Sequence, residues 1–216
     1  MPLQMAFDEV LFGIQKTKAR EPFLRFYVSS EPWISTGYSF RDRTDHLKSS
    51  LILRNPRVPV CRRMTGGGCV LHGGDLIFSL IAPISESGTQ RGLESVRASY
   101  KAIHEAVKTG LQSLGLGADF CDSEVPLPKG NDCFDFPVES DLSWRGKKFA
   151  GGAQKRSEGV LLHHESITMP SGVGRDALIG AIRAGLEQTL GVTIRNSDMD
   201  PEMYFQAERN ALSREA

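Results

Sequence analysis

The sequence predicts an α+β domain in which a mixed, mainly antiparallel central sheet is flanked by helices. Strand-like apolar segments follow one another in hairpin-like series, turn residues separate them, and two long amphipathic segments stand apart from the strands. No internal repeat or low-complexity linker divides the chain. Residues 1–216 are therefore predicted to form a single domain, with a core over about 4–192 and a polar C-terminal tail over 193–216 that forms at most a weak helix.

The strands are predicted from short runs of β-branched, aromatic and aliphatic residues that end at turn residues. The run "SDLSWRGKKFAGGAQKR" is predicted to form a strand, a tight turn at Arg145 and Gly146, and a returning strand. The other strands are expected over residues 23–29, 33–39, 58–63, 69–72, 76–83 and 159–169.

The helices are predicted from apolar residues at helical spacing. They are expected over residues 4–17, over about 92–115 and over 175–191, and glycines end the second and third of them. Residues 121–137 are rich in proline, glycine and aspartate, so they are expected to form a long loop.

Composition limits the partners. The 216 residues include 26 Lys and Arg against 26 Asp and Glu, so the formal net charge is zero. This balance argues against nucleic-acid and membrane partners, and any basic site must be local. The start "MPLQMAFDEVLF" carries acidic residues within its apolar pattern and is not a signal peptide, and no apolar run reaches the roughly 20 residues of a membrane helix. The four cysteines are therefore expected to be reduced thiols of a cytoplasmic protein.

Three consecutive glycines, Gly66, Gly67 and Gly68, follow two arginines in "RRMTGGGCVLH". Amides in such a glycine loop form an anion-binding nest, and Arg62 and Arg63 bring the charge and fork geometry that suit a phosphate or a carboxylate. No Gly-Lys-Ser/Thr follows, so the loop is not a P-loop. It is interpreted either as a cradle for a carboxylate, an acyl phosphate or a thioester carbonyl, or as a flexible connection between strands.

A second cluster, "RGKKFAGGAQKR", places two lysines before the small residues 150–153. Alternation along a strand sends Lys147 and Lys148 to opposite faces, so only one of them can point into a site. The small residues would let a ligand lie against bare backbone, and the lysine would be a fixed positive charge for a phosphate or a carbonyl oxygen. The alternative is a surface hairpin with two solvated lysines.

Two consecutive histidines, His163 and His164, occur in "LLHHES" and also point to opposite faces of a strand. One of them is expected to be a hydrogen-bonded structural residue. No carboxylate-rich pattern accompanies them, so no metal site is predicted.

Together these segments resemble the superfamily of lipoate–protein ligases, octanoyltransferases and biotin–protein ligases. The resemblance runs over about residues 4–170, through "QMAFDEVLF", "FLRFYVSSEPWISTGYS", "CRRMTGGGCVLHGGDLIFSL" and "DLSWRGKKFAGGAQKR". The blocks RR-x-T/S-G-G-G and G-K-K-x-A-G-x-A-Q are specific to the lipoyl branch. The resemblance implies a catalytic domain like those of class II aminoacyl-tRNA synthetases and biotin ligases, with the acyl pocket between the glycine loop and the lysine strand.

The resemblance also implies a reaction and its residues. An octanoyl or lipoyl group would be attached to a lysine of a lipoyl-domain protein, such as a 2-oxoacid dehydrogenase subunit or the glycine-cleavage carrier protein. Lys148 matches the lysine that contacts the acyl carbonyl or the adenylate phosphate in the family. The substrate-binding residues that follow from the match are Arg62, Arg63, Thr65, Gly66, Gly67, Gly68, His72, Gly151, Gly152, Ala153 and His164.

Cys133 favours a transferase. Its segment "CFDFPVE" resembles the C-F-x-x-P-S segment of the cysteine-dependent octanoyltransferases, in which the cysteine carries the acyl group, although Val138 stands in place of the serine. A thiolate beside a lysine ammonium and backbone amides is stabilised and reacts readily with a thioester. On this interpretation Cys133 and Lys148 are catalytic, acyl carrier protein is the donor and no cofactor is tightly bound.

Two alternatives remain open. The chain would be the catalytic domain of a lipoate–protein ligase that uses ATP and Mg²⁺ to form a lipoyl adenylate and works with a separate accessory chain, since no C-terminal accessory domain follows the last long helix and the loop reads Gly-Gly-Gly as in many ligases. In that case Cys133 is incidental. The chain would otherwise be a non-catalytic protein that binds an acyl carrier or lipoate through the loop and Lys148. Biotin ligation is less favoured because the additional modules of many biotin ligases are absent.

Overall fold

A computed structural model of the chain describes residues 1–18, 21–40, 49–84, 92–121, 138 and 140–215. Cys133 and almost all of the loop predicted over 121–137 lie outside the described residues. Within the described ranges the strands are β1 (Phe23–Val28), β2 (Trp33–Thr36), β3 (Val60–Arg62), β4 (Cys69–His72), β5 (Asp75–Pro83), β6 (Asp119–Phe120), β7 (Leu142–Trp144), β8 (Lys147–Ser157) and β9 (Val160–Thr168).

The strands form two sheets. Six of them make a sheet in the order β1-β5-β9-β8-β7-β6, in which every neighbouring pair is antiparallel. The other three make a small sheet in the order β3-β2-β4, in which β2 and β3 are parallel and β2 and β4 antiparallel. The predicted α+β class with mainly antiparallel strands is confirmed, and the parallel pairing is confined to the small sheet.

The helices of the described residues are α1 (Pro2–Lys18), α2 (Ser50–Arg54), α3 (Val96–Ser113), α4 (Arg175–Leu190) and α5 (Pro201–Glu215). Helices α3 and α4 pack together on one face of the large sheet, and α1 packs on the other face with α5 against it. Alternation along β5 divides the core accordingly. Phe78 and Leu80 pack towards α3 and α4, whereas Ile77 and Ile81 pack towards α1.

Several segments differ from the predictions. Residues 193–216, expected to form a polar tail or a weak helix, contain helix α5, in which Ala207 packs against Ala6, Phe7 and Val10 of α1. The sequence pattern misses α2 and β6, which have five and two residues and are too short to display a period. None of the described helices combines the length and the apolar character needed to cross a bilayer.

Candidate active site

A cavity of about 200 Å³ lies where the small sheet meets the large one. The residues that line it and that were predicted from the sequence to act on the substrate are Arg63, Gly67, His72, Lys148, Gly151, Gly152, Ala153 and His164. Four further predicted residues of the glycine loop are described but do not line the cavity: Arg62, Thr65, Gly66 and Gly68. The fold thus brings the glycine loop and the lysine strand to the same cavity.

The two arginines of the loop have different surroundings. Arg63 is buried, and its Nη1 donates to the carbonyl oxygen of Ser35 at 3.2 Å and to Ser35 Oγ at 3.1 Å. Its Nη2 donates to the carbonyl oxygen of Gly66 at 2.7 Å. Arg62 is exposed, and its guanidinium lies 5.7 Å from the ring centroid of Tyr38. Arg63 therefore fixes the loop from inside, whereas Arg62 lies on the surface.

The glycine loop is held between β2 and β8. Gly37 N donates to the carbonyl oxygen of Gly68 at 3.2 Å, and a Cβ on Gly37 would collide with the Gly67 carbonyl. Gly67 has a φ of 89°, which a side chain disfavours. Gly66 N donates to the carbonyl oxygen of Gln154 at 3.4 Å, so this amide faces β8 rather than the anion-binding position expected from the sequence.

Lys148 is the lysine of the pair that points inward. Its side chain is 6% exposed, and its Nζ lies 2.6 Å from Asp141 Oδ2. A Cβ on Gly151 would collide with the Lys148 side chain, so only glycine lets the lysine fold across the strand at this place. Lys147 is exposed, as strand alternation requires.

Asp141 is a buried carboxylate that the sequence analysis missed. Its Oδ2 also accepts a hydrogen bond from Val138 N at 2.8 Å, and its Oδ1 has no hydrogen-bond partner among the described residues. Burial raises the pKa of Asp141, although the charge of Lys148 opposes the change. The predicted hairpin contained part of the signal, because pairing of Ser143 with Lys148 brings β7 and the residue before it close to the lysine strand.

His72 is bonded on both sides of its ring. Its Nε2 lies 2.8 Å from Ser35 Oγ, and its Nδ1 lies 2.6 Å from Asp75 Oδ2. Asp75 also accepts from Ser166 Oγ at 2.7 Å and from Gly73 N at 3.2 Å. Burial alone would raise the pKa of Asp75, but the hydrogen bonds from His72 and Ser166 lower it. An ionised Asp75 therefore holds the ring with Nε2 towards Ser35.

His164 connects the glycine loop to helix α1. Its Nδ1 lies 3.1 Å from Thr65 Oγ1, and its Nε2 lies 3.0 Å from Asp8 Oδ2. Asp8 Oδ1 accepts from Arg25 Nη1 at 2.5 Å and from Ser79 Oγ at 2.6 Å. Burial alone would raise the pKa of Asp8, but the hydrogen bond and charge of His164 and the charge of Arg25 lower it. Thr65 thus supports the loop from behind the cavity.

His163 lies on the opposite face of β9, with Glu165 and with His104 of α3, and all three are buried. His104 Nε2 and His163 Nε2 each lie 2.8 Å from Glu165 Oε2. Burial alone would raise the pKa of Glu165, but the charge and hydrogen bonds of the two histidines lower it to about 2. The carboxylate must therefore accept from both rings.

The two rings of this cluster differ in charge. His104 also donates through Nδ1 to the carbonyl oxygen of Ser140, so it carries both ring protons and a positive charge. Burial alone would lower the pKa of His104, but Glu165 raises it. Burial lowers the pKa of His163, whose Nδ1 accepts from Gln154 Nε2 at 3.1 Å, so this ring is neutral.

Among the described residues, His104, His163 and Glu165 also form a group that could hold a metal ion, since their potential ligand atoms lie within 4.8 Å of one another. The Nε2 atom of each imidazole is already hydrogen-bonded to Glu165 Oε2, and Glu165 Oε1 has no partner among the described residues. The sequence analysis missed this set because His104 lies 61 residues before Glu165 and on a different element.

Comparison with known proteins identifies relatives over most of the chain. The family described as the lipoyl protein ligase A/B catalytic domain matches residues 2–178. An octanoyltransferase LipM of Exiguobacterium sibiricum is 33% identical over 174 residues, which cover 77% of this chain and 61% of that protein. The chain therefore spans about three fifths of the length of such curated relatives.

Solved structures share the fold. The crystal structure of lipoate-protein ligase A bound with ATP has a TM-score of 0.76 at 22% identity and covers 97% of this chain and 89% of that chain. A bi-partite lipoate protein ligase studied with its E2 lipoyl domain, from Thermoplasma acidophilum, has a TM-score of 0.67 at 21% identity and covers 97% and 87%. The family match over residues 2–178 and this shared fold establish that the chain belongs to the lipoyl protein ligase A/B catalytic domain family.

Proposed function

We propose that this chain transfers an octanoyl or lipoyl group onto a lysine of a lipoyl-domain protein through a thioester on Cys133. The observation that carries the proposal is the buried ion pair of Lys148 and Asp141 in the wall of a cavity that the glycine loop also lines. Burying an ion pair is costly, and functional sites are where such costs are commonly met. The 33% identity with an octanoyltransferase supports acyl transfer as the reaction.

Lys148 stabilises charge on the acyl carbonyl oxygen. When a nucleophile adds to the carbonyl carbon, the oxygen gains negative charge, and a cation already held in place needs no reorganisation to meet it. Asp141 holds Nζ at 2.6 Å, and Gly151 and Gly152 line the cavity without side chains that would block the thioester. The carbonyl group can therefore approach the backbone of β8 next to the ammonium.

Cys133 exchanges one thioester for another and then gives up the acyl group. Its thiolate attacks the carbonyl carbon of the donor thioester, and the donor's thiol leaves. The target lysine amine then attacks the Cys133 thioester, an amide bond forms, the C–S bond breaks and the amine proton passes to a base. Thioester to amide transfer is downhill, so this route consumes no ATP.

The partners follow from this reaction. The donor is octanoyl or lipoyl acyl carrier protein, and the acceptor is a lipoyl domain of a 2-oxoacid dehydrogenase subunit or of the glycine-cleavage carrier protein. The archaeal structural neighbour was studied with its E2 lipoyl domain, which supports this class of acceptor.

The proposal is tested by intact-protein mass spectrometry. The protein is incubated with octanoyl acyl carrier protein without ATP, in parallel with Cys133→Ala. We expect an octanoyl adduct that hydroxylamine removes on the parent protein alone, and octanoylation of an added lipoyl domain. Modification of the lipoyl domain only in the presence of lipoate, ATP and Mg²⁺ would replace the transferase with the ligase. If the protein binds octanoyl acyl carrier protein tightly but neither condition modifies Cys133 or the lipoyl domain, it would be a binding protein.

The two adjacent lysines offer a matched test of the site. Lys148→Ala should lower transfer by about 10²–10³-fold, because the charge that meets the oxyanion is lost. Lys147→Ala should leave transfer unchanged, because its side chain is exposed on the other face. Single-turnover transfer rates would be compared, and an equal effect of the two substitutions would contradict the assignment of Lys148.

A further inference from the structure

We propose that Ser35, His72 and Asp75 form a nucleophile relay that gives this protein a second activity, the hydrolysis of acyl thioesters through an ester on Ser35 Oγ. The inference rests on the proposed function in one respect, the acyl thioester that occupies the cavity. It assigns a new role to a serine and an aspartate that sequence analysis did not select.

The distances are those of a nucleophile, a base and an orienting carboxylate. Ser35 Oγ lies 2.8 Å from His72 Nε2, and His72 Nδ1 lies 2.6 Å from Asp75 Oδ2. Both distances fall within the range that relays of this kind require, and such relays are recognised by geometry rather than by chain order. Ser35 and His72 line the cavity, and Asp75 lies behind the ring.

The hydrogen bonds also fix the protons in the reactive arrangement. Asp75 accepts from His72, Ser166 and Gly73, as an ionised carboxylate does. His72 Nδ1 is then the donor, and in the neutral ring Nε2 is the acceptor that receives the Ser35 hydroxyl proton. The ring is thus set to act as a base towards Ser35 before any substrate arrives.

Arg63 stabilises the negative charge that develops on Ser35 Oγ as it attacks. Its Nη1 donates to Ser35 Oγ at 3.1 Å, so this oxygen lies between a buried cation and a base. A fixed positive charge stabilises the negative charge that develops on an oxygen losing its proton. Arg63 also bonds the Gly66 carbonyl at 2.7 Å, which links the nucleophile to the glycine loop.

The reaction balances with water as the only co-reactant. Ser35 Oγ attacks the thioester carbonyl carbon while its proton moves to His72 Nε2. The C–S bond breaks, and the leaving thiolate takes that proton. Water then attacks the Ser35 ester with His72 as base, the C–O bond breaks and Ser35 recovers a proton from His72. The net change is thioester plus water to carboxylic acid plus thiol.

The test uses the full chain with Cys133→Ala, so that no thioester forms on that cysteine. The probe is octanoyl-N-acetylcysteamine, thiol release is followed with a thiol-reactive dye, and the site of any adduct is located by peptide mass spectrometry. We expect steady thiol release and an octanoyl ester on Ser35. Adding Ser35→Ala or Asp75→Asn should lower the rate by about 10²-fold or more.

A nucleophile exchange keeps the test decisive even where alanine disturbs the fold. Ser35→Cys, which keeps the shape of the side chain, should change the adduct from an ester to a thioester that neutral hydroxylamine removes within minutes. Ser113→Ala serves as the control, because Ser113 lies at the end of α3, where its Oγ donates to the Gly110 carbonyl oxygen, and it should leave the rate unchanged.

The outcomes separate this inference from the proposed function. Thiol release that is unaffected by Ser35→Ala, or an adduct at another residue, would overturn the relay. If the parent protein transfers octanoate to a lipoyl domain but the Cys133→Ala chain releases no thiol, the relay is wrong and the transferase stands. If hydrolysis at Ser35 occurs without transfer, the relay stands and the transferase fails. If neither reaction occurs, both are wrong.

Discussion

The two faces of β9 bury similar networks, each a histidine bonded to a carboxylate, but different cations balance the two carboxylates. On the face towards α1, Asp8 is balanced by Arg25, whose Nη1 lies 2.5 Å from Asp8 Oδ1. On the face towards α3, Glu165 is balanced by His104, whose Nε2 lies 2.8 Å from Glu165 Oε2. Consecutive residues of one strand thus belong to two separate buried charge systems.

This difference determines how each network responds to pH. A guanidinium keeps its proton at every pH that a folded protein experiences, so Arg25 keeps its charge beside Asp8. The imidazolium of His104 loses its proton as pH rises through its raised pKa, so the charge balance of the Glu165 network depends on pH. The network on the face towards α1 also supports the glycine loop through Thr65, whereas the network on the face towards α3 lies next to Gly152 of the lysine strand. The pH-sensitive network is therefore the one next to Gly152.

The largest expected effect is loss of either carboxylate. Asp8→Asn and Glu165→Gln should each lower the free energy of unfolding by about 3–5 kcal/mol at pH 6, because each leaves a partly or fully buried cation without its counter-charge. Urea unfolding followed by circular dichroism measures this change. Glu158→Gln is the control, since Glu158 is exposed in its ion pair with Lys16 and should change little. Two variants as stable as the parent protein would show that neither network is charged as described.

Raising the pH should then separate the two variants. The penalty of Glu165→Gln should shrink as pH rises through the folded pKa of His104, because His104 in the parent protein then loses the charge that the carboxylate balances. The penalty of Asp8→Asn should fall less, because Arg25 keeps its charge beside Asp8 at every pH tested. The same urea measurements at pH 6, 7.5 and 9 test this. Parallel pH profiles for the two variants would contradict the assignment of charge to His104.

The parent protein should show opposing contributions from the two histidines around their ordinary pKa of 6.5. The folded pKa of His104 is raised, so its stabilisation is complete below 6.5 and is lost as pH rises through the folded value. The folded pKa of His163 is lowered, so the unfolded chain binds the extra proton and stability falls as pH drops below 6.5. Each slope is at most about 1.4 kcal/mol per pH unit.

Single substitutions separate these two slopes. His104→Gln should flatten the alkaline side of the stability profile, and His163→Gln should flatten the side just below pH 6.5. Thermal unfolding across pH 5–9 gives both profiles, and Asp8→Asn, which changes the network on the α1 face, is measured for comparison. A His104→Gln profile that still falls above neutrality would mean that another group carries the alkaline slope.

The sequence predicts the features that depend on the alternation of side chains along a strand and on the pairing of strands that are adjacent in sequence. Alternation correctly sends Lys147 and Lys148 to opposite faces of their strand, and it does the same for His163 and His164. The turn around Arg145 also predicts the pairing of Ser143 with Lys148, which brings Asp141 near the lysine strand, but it does not predict the register shift between Leu142 and Ser143.

The partners of the other site residues depend on sheet order, which local periodicity does not specify. Asp8 lies 156 residues from His164 and meets it only because α1 packs across β5 and β9. Ser35 reaches His72 because β2 pairs with β4 in a sheet separate from the large one. Cys133 lies outside the described residues, so its role stays a prediction from sequence resemblance.

The smallest effect expected on the α1 face concerns the link between the glycine loop and β9. Thr65→Val keeps the shape of the side chain and removes the hydrogen bond at 3.1 Å to His164 Nδ1, which should cost about 1–2 kcal/mol. Because this bond ties the loop to the sheet, amide hydrogen exchange at residues 66–68 should become faster than in Thr17→Val, a substitution on the exposed side of α1. Unchanged exchange would mean that Arg63 and the Gly37 contact hold the loop without Thr65, and the α1-face network would then be linked to the cavity only through His164.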